Sequence, residues 1–344
     1  MKSFIGRKSE ISQIDQFCKN DQNRVLIIFG EAGIGKTTLL NEFAKHVSNK
    51  DWVFCFRPEK DESLNNYIFQ WLIDMLTGRN FLGGLDIWEK ILKEEVKIFD
   101  FIKLALNFEN TSLKSRFTEL LERVSTLISD GKLIVFIDPD KGLKGEDAVN
   151  FLYFLRDNIP SRVKVILTES DDCVFANDKK FTESDKVNSI SLSGFTESEY
   201  HQMLFCDNLS DNFNSKNAKK IQEKSNGNPF YIKTCINLIN KQDLKDGEID
   251  ESFIDNLPDD LRGLMLKFYE SIQDTGNREI VNWISIVSNW TDCNLAAFLT
   301  TFSVEKITDS LKDRELKNLI EAKNEPVVDT CNSEIQFNSD GINV

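Results

Sequence analysis

From Gly30 the chain runs Gly30-Glu31-Ala32-Gly33-Ile34-Gly35-Lys36-Thr37-Thr38, three spaced glycines followed by a lysine and two threonines. Those types at that spacing suit the holding of phosphate. Glycines let the backbone turn its N–H groups inward around phosphate oxygens, a helix starting near Lys36 adds the positive end of its dipole, and Lys36 reaches the β and γ phosphates. The Thr37 hydroxyl is placed to ligate magnesium. A second constellation begins where Leu133-Ile134-Val135-Phe136-Ile137 emerges into Asp138-Pro139-Asp140. An aspartate at the carboxyl end of a buried strand can hold magnesium beside the phosphate-loop threonine, which makes Asp138 the second metal candidate after Thr37. The next position matters for catalysis. A hydrolytic site usually presents a second carboxylate there to polarise the attacking water, and this chain has Pro139; Asp140 could substitute from a shifted turn, whose backbone the proline restricts. Thr168, at the end of the run Val163-Lys164-Val165-Ile166-Leu167, is the third catalytic candidate, a hydroxyl suited to sense the γ phosphate or the water.

These groups need a sheet to carry them. Val25 to Phe29 reads as a central parallel strand covered on both faces, and Leu39, Leu40, Phe43 and Val47 then recur at helical spacing. Trp52 to Phe56, Leu133 to Ile137, Val163 to Ser170 and Val187 to Leu192 read as further strands. A helical stripe from Phe117 to Ile128 ends at Asp130-Gly131, and residues 63–77 and 87–107 read as a helical insertion, with Leu64, Ile68, Leu72 and Met75 on one stripe and a glycine-containing break between the two segments. The expected fold class is α/β, a doubly wound parallel sheet of the P-loop NTPase kind. Past 195 helices predominate, near 196–206, 213–225, 229–241 and 258–272; Thr196 and Glu199 have capping-box spacing. Gly227-Asn228-Pro229-Phe230 is either a plain corner between helices or a lid whose Pro229 ring packs on a base. From Arg278 onward three helical patterns and a small hairpin fit a winged helix.

Composition narrows the partners. The 344 residues carry 42 Lys and Arg against 56 Asp and Glu, a net charge of −14 that opposes unspecific attraction to nucleic acid and to anionic lipid. Residues 276–344 hold eleven acidic against six basic residues, a solvated mixed face rather than a groove reader. The seven cysteines are scattered without a C-x-x-C pair, so neither a zinc site nor a disulfide framework is expected. The amino terminus lacks the apolar core of a signal peptide and no apolar run nears membrane-spanning length, which points to the cytoplasm.

Phe4-Ile5-Gly6-Arg7, the phosphate loop, the strand ending at Asp138, Thr168, Ser193-Gly194-Phe195-Thr196 and Gly227-Asn228-Pro229-Phe230 together resemble the STAND class of signalling ATPases. This class is related to AAA+ proteins and includes nucleotide-binding domains of apoptosome, plant resistance and antiphage-defence proteins. The resemblance implies a nucleotide-binding domain over 1–195, a helical lid over 196–274 and a winged helix over 275–344. It also implies ATP or ADP with Mg2+ as cofactors. Ile5 and Arg7 would border the adenine, Pro229 would line its other side, and Glu31, Ala32, Gly33, Ile34, Gly35, Lys36, Thr37 and Thr38 would hold the phosphates. Two departures stand out. The family's histidine near the end of the winged helix is missing from Phe337-Asn338-Ser339-Asp340, and Ser170 stands where an arginine often reaches the γ phosphate.

The ground-state ligands are therefore present and the hydrolytic ones incomplete, which implies a slow or partner-stimulated ATPase working as a switch. Its partners would be copies of itself or an effector protein, in signalling or defence. The chain leaves no room for a separate effector, so a partner supplies the output or the chain is part of a longer protein. A DNA-loading ATPase of the replication-origin type is the alternative, disfavoured by the acidic carboxyl-terminal region. An ATP-driven remodeller would need an arginine acting across a subunit boundary, for which Arg156 and Arg162 are available.

Overall fold

The computed structural model describes residues 4–48, 50–56, 67, 71, 81–83, 113–127, 131–139, 143, 145–171, 173, 178–206, 215–240, 251–286, 291–312, 316, 320–324 and 333–337. Asp140, residues 338–340 and most of the insertion expected at 63–77 and 87–107, including Leu64, Ile68, Leu72 and Met75, lie outside the described residues. The chain divides into two compact units, Met1–Ser193 and Gly194–Val344.

The first unit is built on a six-stranded sheet: β1 (Val25–Phe29), β2 (Trp52–Phe56), β3 (Phe81–Gly83), β4 (Leu133–Ile137), β5 (Val163–Glu169) and β6 (Val187–Ser191), in the order β3-β2-β4-β5-β1-β6. All neighbours are parallel except β3, which pairs antiparallel with β2. The five parallel strands are those read from the apolar runs. β3 is not: a three-residue segment between glycines shows no period, and its pairing comes from the otherwise open edge of β2.

Alternation on these strands builds a core on each face. Val25, Ile27, Val135 and Ile137 face one way with Phe117, Phe151 and Trp71; Leu26, Ile28, Ile134 and Phe136 face the other with Ile14 and Phe17 of α1 (Lys8–Lys19) and Leu39, Leu40 and Phe43 of α2 (Lys36–His46). On the first face pack α3 (Leu113–Leu127) and α4 (Gly145–Asn158), through Phe117 and Phe151; the short α5 (Lys179–Thr182) follows β5. Burial on both sides is what a parallel sheet needs, and it explains why these strands lack polar alternation. The order has a consequence for the site. β5 lies between β1 and β4, with Ile28 opposite Thr168 and Ile137 opposite Leu167, so three strands deliver their carboxyl ends to one rim. The chain passes to opposite sides of β1 after α2 and after β5, and crevices at such switch points are where ligands bind in open α/β sheets.

The second unit opens with α6 (Glu197–Cys206), α7 (Ser215–Ser225), α8 (Pro229–Asn240), α9 (Glu251–Asp255) and α10 (Leu261–Glu270). The short α9 is absent from the sequence reading, because one and a half turns carry too little periodicity. α11 (Thr275–Ile286), α12 (Cys293–Thr300) and α13 (Val304–Lys312) follow, with β7 (Thr291–Asp292), β8 (Ile320–Asn324) and β9 (Ser333–Phe337) forming an antiparallel sheet in the order β7-β9-β8. The three helices and the hairpin read from the sequence are present, with β7 as an added strand. One core runs through all of these helices, from Tyr200 and Ile221 to Ile307 and Leu311.

Two motifs singled out in the sequence meet inside this unit. The Thr196 N–H donates to Glu199 Oε2 at 2.8 Å and the Glu199 N–H to Thr196 Oγ1 at 3.4 Å, the reciprocal capping box expected there. Gly227 ends α7 at φ 71°, and Asn228 Oδ1 caps α8 by accepting from the N–H groups of Phe230 and Tyr231 at 3.0 and 3.2 Å. The Phe195 N–H donates to the Gly227 carbonyl at 2.7 Å, and a Cβ on Gly194 would stand 2.0 Å from the Asn226 carbonyl oxygen. Only glycine allows that approach.

Candidate functional site

The phosphate loop leaves β1 at Gly30 and enters α2 at Lys36. Gly35, the residue before α2, has φ 99° and Gly33 has φ 74°, a region that L side chains with a Cβ avoid. At Gly30 the constraint is space: a Cβ would lie 2.8 Å from Ile34 Cγ2 and 3.3 Å from Leu192 Cβ. The loop therefore follows a path that the glycines alone permit. Lys36 Nζ donates to the carbonyls of Gly30 and Glu31 at 2.8 and 3.0 Å, which holds the ammonium over the loop. Ile34 is buried, whereas Glu31, Ala32 and Thr38 are exposed and Gly33, Gly35 and Thr37 half-buried.

Asp138 sits one residue past β4, where both of its oxygens are engaged. Oδ2 accepts from the Thr37 hydroxyl at 2.8 Å, and Oδ1 accepts from the Thr168 hydroxyl. The structure thus brings together three of the four residues that the sequence proposed for metal and catalysis, from positions far apart in the chain; Asp140, the fourth, lies outside the described residues. A hydroxyl and a carboxylate in contact are hard oxygen donors of the kind magnesium takes, usually with only one or two carboxylates and the rest from phosphates and water. The residues fit that ion. Among the described residues no group of three or more His, Cys, Asp or Glu converges. Pro139 follows Asp138, half-buried.

Sequence reasoning passed over Glu169. A carboxylate closing an apolar strand looks like a solvated turn, yet this one is 2 % exposed, and its Oε1 accepts from the Leu143 N–H at 2.8 Å. Its main-chain oxygen accepts from the Gly30 N–H at 3.2 Å, tying the start of the phosphate loop to β5.

Arg7 also does more than its motif implies. It precedes α1 in the left-handed region, φ 59°, with its guanidinium buried. Nη2 donates to the carbonyls of Ser193 and Ile34 at 2.6 and 3.3 Å, and Nη1 to Glu10 at 3.1 Å. It thereby fastens the amino-terminal segment to the phosphate loop and to the residues after β6. Ile5 is half-buried beside it in sequence; Pro229 belongs to the second unit, half-buried in the first turn of α8. Arg156 and Arg162 are also placed. Arg156 pairs with Asp157 through two bonds of 2.8 and 2.7 Å and lies 4.5 Å over the Tyr153 ring, while Arg162 directly precedes β5, at the sheet rim opposite the phosphate loop.

That opposite rim carries a second set of charges. Lys164 on β5 is wholly buried, and its Nζ donates to the carbonyls of Asn20 and Asn23, both at 2.6 Å. Burial, reinforced by the charges of Lys132 and Arg24, pushes its amine from 10.5 down to about 8. Nearby Cys18 is pushed up to about 12 by burial, a packed thiol rather than a nucleophile.

Residues 3–167 match the family described as AAA ATPase domain. Three proteins of Methanocaldococcus jannaschii, each described as an uncharacterized ATP-binding protein, are similar to the chain. The first is 26% identical over 255 residues, covering 69% of this chain and 67% of its own length. The other two are 25% identical over 151 residues (41% and 39%) and 23% identical over 167 residues (44% and 45%). The chain thus spans about two thirds of the first relative and less than half of the other two. Among solved structures, similarity extends to the ORC1 protein of Aeropyrum pernix in complex with DNA, at 7% identity and TM-score 0.43, over 98% of this chain and 90% of that one. Drosophila ORC bound to DNA is similar at 11% identity and TM-score 0.44, over 98% and 85%. At these scores neither likeness bears on function. Fold and loop geometry make the first unit a P-loop NTPase domain, most of which is similar to the AAA ATPase domain family. Among the described residues no helix is long and apolar enough to cross a membrane.

Proposed function

We propose that the chain is an ATP-binding switch of the STAND type, which holds nucleotide through the phosphate loop and magnesium, hydrolyses it slowly, and uses its nucleotide state to set domain closure and assembly. The observation that carries this reading is the contrast around Asp138. Its carboxylate is gripped by Thr37 and Thr168, with Lys36 close by on the loop, yet Pro139 occupies the position from which a carboxylate would activate water. In this reading Lys36 and the N–H groups of residues 33–38 bind the β and γ phosphates, and Thr37 and Asp138 hold the Mg2+. That ion neutralises phosphate charge when bound. Thr168 keeps Asp138 oriented and senses the γ phosphate. Ile5, Arg7 and, from a helical lid, Pro229 border the adenine, and the three helices with the β7-β9-β8 sheet act as a winged helix that closes on the nucleotide domain.

Loss of a group that orients water or stabilises transition-state charge costs roughly 10² or more in rate, while ground-state binding survives. The experiment is light scattering of the purified chain with ADP, with ATP and with a non-hydrolysable analogue. The switch predicts a change in mass or radius between ADP and the analogue; one unchanged monomer in all three contradicts it. Salt-sensitive binding of duplex DNA in a gel shift would instead favour a DNA-loading ATPase, which the eleven acidic against six basic residues of 276–344 oppose.

A further inference from the structure

We infer that Arg7 is a positioning residue for the phosphate loop: by holding the Ile34 carbonyl, its guanidinium aims the Gly35 N–H at the phosphates. This rests on the ATP-binding reading above and gives the Arg7 side chain a task separate from bordering the base. Arg7 Nη2 donates to the Ile34 carbonyl at 3.3 Å and to the Ser193 carbonyl at 2.6 Å, which uses both hydrogens of that nitrogen. Ser193 is tied to the sheet, because Leu192 before it bonds through its N–H to the Phe29 carbonyl at 2.8 Å, at the end of β1. One side chain thus spans from the rim of the sheet to the middle of the loop.

The peptide it grips is one that packing alone does not hold. The Ile34 side chain is buried, but that does not by itself fix the plane of the peptide that follows. This peptide ends at Gly35, where φ is 99° and no Cβ resists a flip. No cis peptide occurs among the described residues, and in a trans peptide the C=O and the next N–H point in opposite directions. With the Ile34 carbonyl turned toward Arg7, the Gly35 N–H therefore faces away from it, to the side where the reading above places phosphate. Arg7 itself stands at φ 59° after Gly6 at φ 69°, a conformation uncommon for a residue with a Cβ, which persists where the surroundings hold it. Its charge is paired with Glu10 at 3.1 Å, so what it gives the phosphates is aim rather than attraction.

The test is competition against a fluorescent ADP analogue by ADP, GDP and inorganic pyrophosphate, with Mg2+, on the full chain as wild type, Arg7→Met and Arg7→Lys. Methionine removes the donors; lysine keeps the charge and loses the fork that reaches two carbonyls at once. Arg7→Met should bind ADP and pyrophosphate each about 10- to 100-fold more weakly, the range for one hydrogen bond to a charged group. It should keep the wild-type ratio of ADP to GDP affinity and bind as much analogue per chain at saturation as wild type. Arg7→Lys should lose nearly as much affinity. Wild-type pyrophosphate affinity in Arg7→Met overturns the inference, and a lowered preference for ADP over GDP beside it would assign the side chain to the base instead. Wild-type affinities in Arg7→Lys overturn it in favour of charge alone. Less analogue bound per chain at unchanged affinity overturns it in favour of a merely structural residue. Should Arg7→Met fail to melt cooperatively, Arg7→Lys decides alone. A wild type that pyrophosphate does not displace overturns the inference while the ATP reading stands; a wild type that binds no analogue removes that reading, and the inference with it.

Discussion

Replacing Lys164 by methionine separates a buried charge from the packing around it. The side chain is 0 % exposed, both carbonyls it meets lie at 2.6 Å, and the Phe17 ring is 5.7 Å from its Nζ. Its amine titrates at about 8 in the fold against 10.5 for a free lysine, because burial and the neighbouring Lys132 and Arg24 disfavour the ammonium more than Asp21 and Cys18 favour it. Below pH 8 folded and unfolded chains both carry the proton, so the cost of burying the charge is felt in full. Between about 8 and 10.5 the unfolded chain binds the proton and the folded chain does not, so stability rises with pH; above 10.5 the contribution is constant. At about 1.4 kcal/mol per pH unit, the interval amounts to on the order of 3 kcal/mol. Cys18 works in the opposite sense above pH 9, since burial holds its thiol up at about 12; wild type and variant share that burial, and only the part owed to the Lys164 charge, which lowers the thiol, differs between them. The assay is urea unfolding of wild type and Lys164→Met at steps between about pH 7 and 10.5. The stability of wild type relative to the variant should rise by roughly 3 kcal/mol across that window. A difference that is flat, or that falls with pH, refutes the reasoning.

Gly194→Ala should destabilise the second unit by about 1–3 kcal/mol, because its Cβ would meet the Asn226 carbonyl at 2.0 Å, and calorimetry should show a Tm lower by several degrees. Thr196→Val removes the hydroxyl half of the capping box and should cost about 1 kcal/mol in thermal or urea melts. Pro139→Glu supplies the missing carboxylate next to Asp138, and should raise steady-state ATP turnover by roughly tenfold or more. An unchanged rate would show that Pro139 is not what slows hydrolysis.

The parallel sheet was legible because its strands are short apolar runs that each end in a group with a chemical use: Phe29 before the glycines, Ile137 before Asp138, Leu167 before Thr168. Local pattern and burial coincide there, since a strand covered on both faces must be apolar throughout. The residues that elude the sequence are those whose partners are distant. Lys164 in a run of valines looks like a solvent-facing alternation, and only the fold brings Asn23, 141 residues away, to its ammonium. Glu169 looks like a solvated strand end until Leu143 is beside it. Arg7 fits an adenine border by resemblance, whereas its bond to the Ser193 carbonyl, 186 residues on, follows from tertiary packing alone. β3 and α9 are too short to show a period, and their pairing and packing are supplied by neighbours.

The central claim is that this site keeps ATP better than it cleaves it. Its most direct test measures ATP binding and steady-state turnover on the same preparation with Mg2+. The account predicts saturable binding with a turnover well below about 1 per second, the lower edge of ordinary enzyme rates. Turnover above that value from the isolated chain would contradict it.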